Sequence, residues 1–167
     1  MASVFNVGDV VSYPTHGVGV VVKIETQVLG GAEIKLFVIQ FDKDKMSLRI
    51  PVKKAESVGL RHVVAKKQML DIVEILQSKP RTTRGMWSKR AAEYEAKINS
   101  GNLMLVAEVV RDLYKDSENT NRSYSERMIY ESALERLVAE YAAVYKIDAA
   151  KAKTKLLDLM HCKTEAA

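Results

Sequence analysis

Apolar residues in the first third of the chain fall in short runs bounded by turn residues, and after about residue 60 they recur at helical spacing. Val10-Val11-Ser12-Tyr13 stops at Pro14. Val18-Gly19-Val20-Val21-Val22-Lys23-Ile24 is rich in β-branched residues, and Gly30-Gly31 supplies two positions tolerant of φ > 0, as hairpin turns require. Residues 34–41 form the next apolar run, and Asp42-Lys43-Asp44-Lys45 reads as a polar turn. Met46-Ser47-Leu48-Arg49-Ile50 alternates until Pro51. Four or five short strands in some sixty residues predict a small, strongly bent barrel of SH3 or Tudor type.

Met69, Leu70, Ile72, Val73, Ile75 and Leu76 then mark a first helix, which Pro80 ends. Residues 88–99 predict a second, stopped by Ser100-Gly101. Residues 103–114 predict a third, with Leu103, Val106, Val109, Val110 and Leu113 on one face. After a polar loop at 116–122, Ser123-Tyr124-Ser125-Glu126 has the spacing of a capping box, opening a long helix to about Tyr145. Asp148 can cap a last helix to about His161. The expected architecture is α+β in two domains: a small SH3/Tudor-like barrel over 1–60 and an all-α domain over 61–167.

The formal charge of +5 matters mainly for where it lies. Residues 1–60 carry seven Lys/Arg against six Asp/Glu, residues 61–115 carry eleven against six, and residues 116–167 carry eight against nine. The excess is concentrated mid-chain, which favours a localised anionic partner. An apolar share of 47% is enough for a core, and a single cysteine, Cys162, excludes an intrachain disulfide and fits a reducing compartment. No stretch resembles a signal peptide, and no apolar run approaches the ~20 residues that span a bilayer. A cytoplasmic protein without membrane attachment is expected.

Most catalytic readings fail. Gly17-Val18-Gly19 lacks the third glycine of a dinucleotide fingerprint and reads as a turn. There is no Walker pair and no nucleophile elbow. His161-Cys162 has no second Cys/His pair with which to bind a metal. His16 and His62 have no evident carboxylate companion, and the acidic residues from Glu126 to Glu140 read as the solvated face of a long helix. Neither enzyme activity nor a cofactor or metal is expected.

Two segments do suggest a role. Between Lys79 and Arg90 lie Lys79, Arg81, Arg84, Lys89 and Arg90, with no acidic residue among them and the sole tryptophan, Trp87, at the start of a helix. Cations find phosphates, and a large apolar plane can enter a base step. The competing reading makes Trp87 a core residue between helices. The second segment, Met46 to Pro51, is a short alternating edge. It is either an ordinary barrel strand or a site that accepts a partner strand, with Arg49 reaching a carboxylate.

In sum these motifs resemble the CarD/CdnL family of bacterial transcription regulators. The opening stretch, Phe5-x-Val7-Gly8-Asp9-x-Val11-x-Tyr13-Pro14-x-His16-Gly17, is similar to the family's first motif. So are Arg49-Ile50-Pro51, Ala55-Glu56-x-Val58-Gly59-Leu60-Arg61 and Trp87-Ser88-Lys89-Arg90. Val106 to Leu113 and Ser123-Tyr124-Ser125-Glu126-Arg127 follow in the family's order, so the resemblance covers nearly the whole chain. It implies a Tudor-like domain that binds the β subunit of RNA polymerase, with Leu48, Arg49, Pro51 and Gln27 at that contact. It further implies a helical domain contacting promoter DNA at the upstream edge of the transcription bubble, with Trp87 as the wedge and Lys89, Arg90, Arg84 and Arg81 beside it. Such a protein would act as a monomer, reach the nucleoid through polymerase, and stabilise the open promoter complex. Gln27 and Ala92 depart from the pattern, standing where some relatives carry basic residues. The alternative is a polymerase-docking adaptor whose helical domain binds protein. An RNA-binding module is a weaker third reading, since no aromatic pair lies on a strand face.

Overall fold

A computed structural model describes residues 5–41, 45–81, 85–114 and 123–165, the last segment with side chains as far as His161. Two compact units divide the chain, residues 1–63 and 64–167.

The first unit is a five-stranded antiparallel sheet of order β4-β3-β2-β1-β5, formed by β1 (Val10–Tyr13), β2 (Gly17–Leu29), β3 (Ala32–Phe41), β4 (Met46–Pro51) and β5 (Arg61–His62). It has the Tudor-like fold expected from the strand pattern. Two differences from that pattern have clear causes. β2 runs five residues past Ile24, because its largely exposed continuation pairs with β3 all the way to the turn at Gly30-Gly31, where both residues have positive φ. β5 pairs with β1 through Val11–His62 and Ser12–Arg61, so the sheet unit extends three residues beyond the expected division at 60.

Phe5, Val11, Val21, Phe37, Ile39, Phe41, Ile50 and Leu60 form the core of this unit. Gly19 lies within β2, not in a turn. A Cβ there would stand 2.8 Å from the side chains of both Ile39 and Phe41. The glycine is thus required by close packing of β2 on β3. His62 does have a carboxylate companion: its Nε2 lies 3.1 Å from Asp9 Oδ2, a pairing 53 residues apart that only the β1–β5 ladder creates. The Asn6 backbone N–H and then His62 hold the Asp9 carboxyl below its usual range. His16 packs against the rings of Tyr13 and Phe41, with centroids 5.5 Å from each.

The second unit contains α1 (Lys66–Gln77), α2 (Trp87–Asn99), α3 (Leu103–Leu113), α4 (Tyr124–Tyr145) and α5 (Ala149–Glu165). α3 is central, packing on α1, α2 and α4, and α5 packs on α4 and α1. Met69, Ile72 and Leu76 of α1, Val106, Val109, Val110 and Leu113 of α3, Leu137 of α4 and Leu156 and Met160 of α5 are buried together in this unit. Ser123 and Asp148 cap as expected, and Asn102 adds a cap that the sequence reading did not name. Asn102 Oδ1 accepts from the Met104 backbone N–H, Ser123 Oγ from that of Glu126, and Asp148 Oδ1 from that of Lys151.

One acidic residue departs from the solvated face expected of α4. Glu140 is only 2% exposed and its Oε2 accepts from the Val64 backbone N–H at 2.9 Å. Its carboxylate satisfies the first backbone donor of the helical unit. Arg111 and Asp112 form a second buried polar element, joined by an Nε–Oδ1 bond of 2.9 Å. Arg111 Nη1 also donates to Ser78 Oγ, and Asp112 Oδ1 accepts from the Arg81 backbone N–H. This network ties the segment after α1 to α3. No helix among the described residues is long and apolar enough to cross a membrane.

Candidate functional site

The register of β2, β3 and β4 decides which residues of the sheet share a face. Lys23 and Arg49 both lie opposite Val38, Glu25 and Pro51 both lie opposite Leu36, and Gln27 lies opposite Ile34. Residues directly opposite across a ladder point the same way. Arg49, Pro51 and Gln27 therefore share one face with Lys23 and Glu25. Val38 and Leu36 lie buried at the centre of that face. Leu48 does not share it: with Met46 it turns to the other side of β4 and packs against the apolar core. Any partner that Leu48 meets at this edge meets its backbone.

β4 is an edge of the sheet, and Pro51, which has no N–H to offer a ladder, ends it. Arg49 is engaged. Its Nε lies 3.1 Å from Glu25 Oε2, while Lys23 Nζ lies 2.6 Å from Glu25 Oε1. Lys23 and then Arg49 hold the Glu25 carboxyl below its usual range. Half of the Arg49 side chain is exposed, so a partner carboxylate would compete with a solvated ion pair, not meet a bare cation. Lys23 and Glu25 lay outside the sequence reading because the row linking β2 to β4 runs through β3.

The second candidate lies at the start of α2. Trp87 is the first residue of the helix, half-buried, and preceded by Met86, which is 76% exposed. Arg90 and Tyr94 follow one and two turns on. The Arg90 guanidinium carbon stands 5.5 Å from the Trp87 ring centre and 5.9 Å from that of Tyr94. It is attracted by both π faces. Arg90 Nη2 also donates to Tyr94 Oη at 3.4 Å, and Nε is buried without a hydrogen-bond partner among the described residues. Tyr94 is buried and anchors the stack. On its other side, the indole N–H of Trp87 donates to Ser125 Oγ, 3.2 Å away on the first turn of α4.

Trp87 thus fits neither simple expectation. It is not sealed in the core like Tyr94 or Ile98, and it is not a bare plane in solvent. Arg90 lies over the indole instead of standing clear as a free cation. Lys89 is exposed, as is Arg81, whose backbone is pinned to Asp112. Arg84 lies outside the described residues. The first turn of α2 has no acidic residue, and Met86 at its cap position offers no side-chain cap. Tyr94 was open to sequence reading from its spacing, seven residues after Trp87. Ser125 was not, because it comes 38 residues later. Among the described residues no cluster of His, Cys, Asp or Glu could hold a metal ion.

Comparison with known proteins agrees with both halves of this description. Residues 5–64 match the CarD-like/TRCF RID domain, and residues 71–158 match the CarD C-terminal domain. The chain is 29% identical over 140 residues to the "Putative transcription factor YdeB" of Bacillus subtilis (strain 168), an alignment covering 84% of this chain and 92% of that relative. With the C-terminal domain match covering more than half of this chain and the N-terminal domain matched ahead of it, the chain belongs to the CarD family of transcription regulators.

Proposed function

We propose that the sheet unit docks on the β subunit of bacterial RNA polymerase by adding a strand at β4, and that the helical unit sets Trp87 against promoter DNA at the upstream edge of the bubble. The observation that carries this reading is the first turn of α2. Helix N-termini favour anions, yet here Lys89 and Arg90 occupy the first turn, that turn holds no acidic residue, and Met86 at the cap position offers no side-chain cap. Stability alone would place Asp or Glu there. Arg90 is offset only by the π faces of Trp87 and Tyr94, Lys89 is exposed, and a phosphate backbone would supply the missing negative charge. Trp87, partly exposed at the same turn, adds an apolar plane.

The mechanism is differential binding. A regulator that binds the open complex better than the closed one shifts the population toward open, and a preference of about 1.4 kcal/mol does so tenfold. The wedge needs no base readout, because it engages DNA already distorted at the fork. The test is the lifetime of open promoter complexes with wild-type protein and with Trp87→Ala, alongside a footprint of the upstream edge. Loss of stabilisation with polymerase binding intact supports the wedge. Full prolongation of lifetime by the variant removes it.

A second reading has its own support. Met86, Tyr124 and Met128 are exposed apolar residues on the segments that carry Trp87 and Ser125. Apolar groups of this kind also suit a protein partner, making the chain a polymerase-docking adaptor. Under that reading the footprint is unchanged, and Met86→Ser with Tyr124→Ser abolishes function while Lys89→Glu leaves it intact.

A further inference from the structure

We infer that Ser125 is a positioning residue for Trp87. Its hydroxyl holds the indole in one orientation in the free protein, so that the ring reaches its target already ordered. This rests on the wedge reading above and concerns how the wedge is kept in place.

Three observations support it. The indole N–H donates to Ser125 Oγ at 3.2 Å, and this is its contact to a second helix. Ser125 is itself fixed, one residue into α4, by the Ser123 cap whose Oγ accepts from the Glu126 N–H at 3.1 Å. The Arg90–Tyr94 stack braces the ring from its own helix, with Trp87 and Tyr94 centroids 6.3 Å apart. The ring is therefore held at its polar edge by α4 and on a face by α2.

The chemistry has a consequence for recognition. Trp87 has one hydrogen-bond donor and no acceptor. While Ser125 holds that donor, the ring meets a ligand as an apolar plane. It senses how easily a base step unstacks more than which bases form it. A half-exposed side chain without this restraint would lose rotational freedom on insertion, and ordering an interface side chain weakens binding.

Trp87 is the only tryptophan, so indole fluorescence reports on this residue alone. The experiment compares wild type, Ser125→Ala and Ser125→Thr as full-length chains. It measures indole anisotropy decay in the free protein, polymerase affinity, and open-complex lifetime. Ser125→Ala is expected to raise the amplitude of fast indole motion. It should shorten the open-complex lifetime roughly two- to five-fold, in line with one exposed hydrogen bond, and leave polymerase affinity unchanged. Ser125→Thr, which keeps the hydroxyl, restores both. Wild-type anisotropy in Ser125→Ala overturns the restraint whatever the promoter assay gives. Increased motion with a wild-type lifetime overturns its role in the wedge. If Trp87→Ala itself leaves the lifetime unchanged, the wedge reading fails by that measurement, and the anisotropy still decides whether Ser125 holds the ring.

Discussion

Trp87 divides its surface between packing and solvent. A fully buried aromatic truncated to alanine costs about 3–5 kcal/mol. Trp87 is half-buried, with its N–H bonded to Ser125 and its ring under Arg90. Trp87→Ala should therefore destabilise the helical unit by only about 1–2 kcal/mol, measured by chemical denaturation, while removing most open-complex stabilisation. A loss as large as a core truncation would return Trp87 to a packing role. Glu140 gives the opposite case. Buried and accepting from the Val64 N–H, it leaves a backbone donor unsatisfied if removed. Glu140→Ala should cost about 1–3 kcal/mol without affecting DNA or polymerase contacts in the folded fraction. Wild-type stability in that variant would show that water takes over the bond.

At the scale of elements, β4 and α4 make separate predictions. β4 is an edge whose outward residues, Ser47, Arg49 and Pro51, differ in kind from its core-facing Met46, Leu48 and Ile50. Arg49→Glu should weaken polymerase binding on the order of tenfold, mostly through the association rate, and leave the sheet folded. Because Arg49 also pairs with Glu25, the swap Glu25→Arg with Arg49→Glu separates two causes. Restored docking would mean that Arg49 acts by ordering the sheet face, and persistent weakness that its charge meets the partner. α4 ends at Lys146, which adopts a left-handed conformation with φ 54°. Glycine reaches that region without the penalty a side chain incurs. Lys146→Gly should raise the stability of the helical unit by about 0.5–1 kcal/mol, and a fall in its melting temperature would contradict this account of the cap.

For the molecule as a whole, the proposed function needs two contacts, neither of which has to be tight. The cations described around Trp87 are few, and the adjacent residues offer little that could read base edges. Isolated duplex should bind weakly, with Kd above about 1 μM at physiological salt and little dependence on sequence. Docking through the sheet unit raises the local concentration of promoter DNA, so a weak second contact suffices on the polymerase-bound complex. Titration of labelled duplex against free protein, and of promoter complex against the same protein, checks both halves. Tight, sequence-specific binding to free duplex would contradict the scheme.

The residues alone determined the order of the first four strands and the five helices, the change from sheet to helices near residue 60, and the caps at Ser123 and Asp148. Each of these depends on neighbours within a few positions, where hydrophobic period and capping chemistry act. The same local logic marked Trp87 and its cations, and the edge at Arg49-Ile50-Pro51. Tertiary structure decided everything that depends on pairing at long range. The β2–β3–β4 register placed Gln27 on the same face of the sheet as Arg49 and Pro51 and turned Leu48 inward. The β1–β5 ladder gave His62 its partner, Asp9. The packing of α4 buried Glu140, which lies between Leu137 and Val144 on the buried stripe of its helix, beside the Val64 backbone N–H, and carried Ser125 to the indole of Trp87. Such contacts join residues 24 to 76 positions apart, and no local periodicity encodes them, because each is set by how whole elements pack and not by the spacing within one.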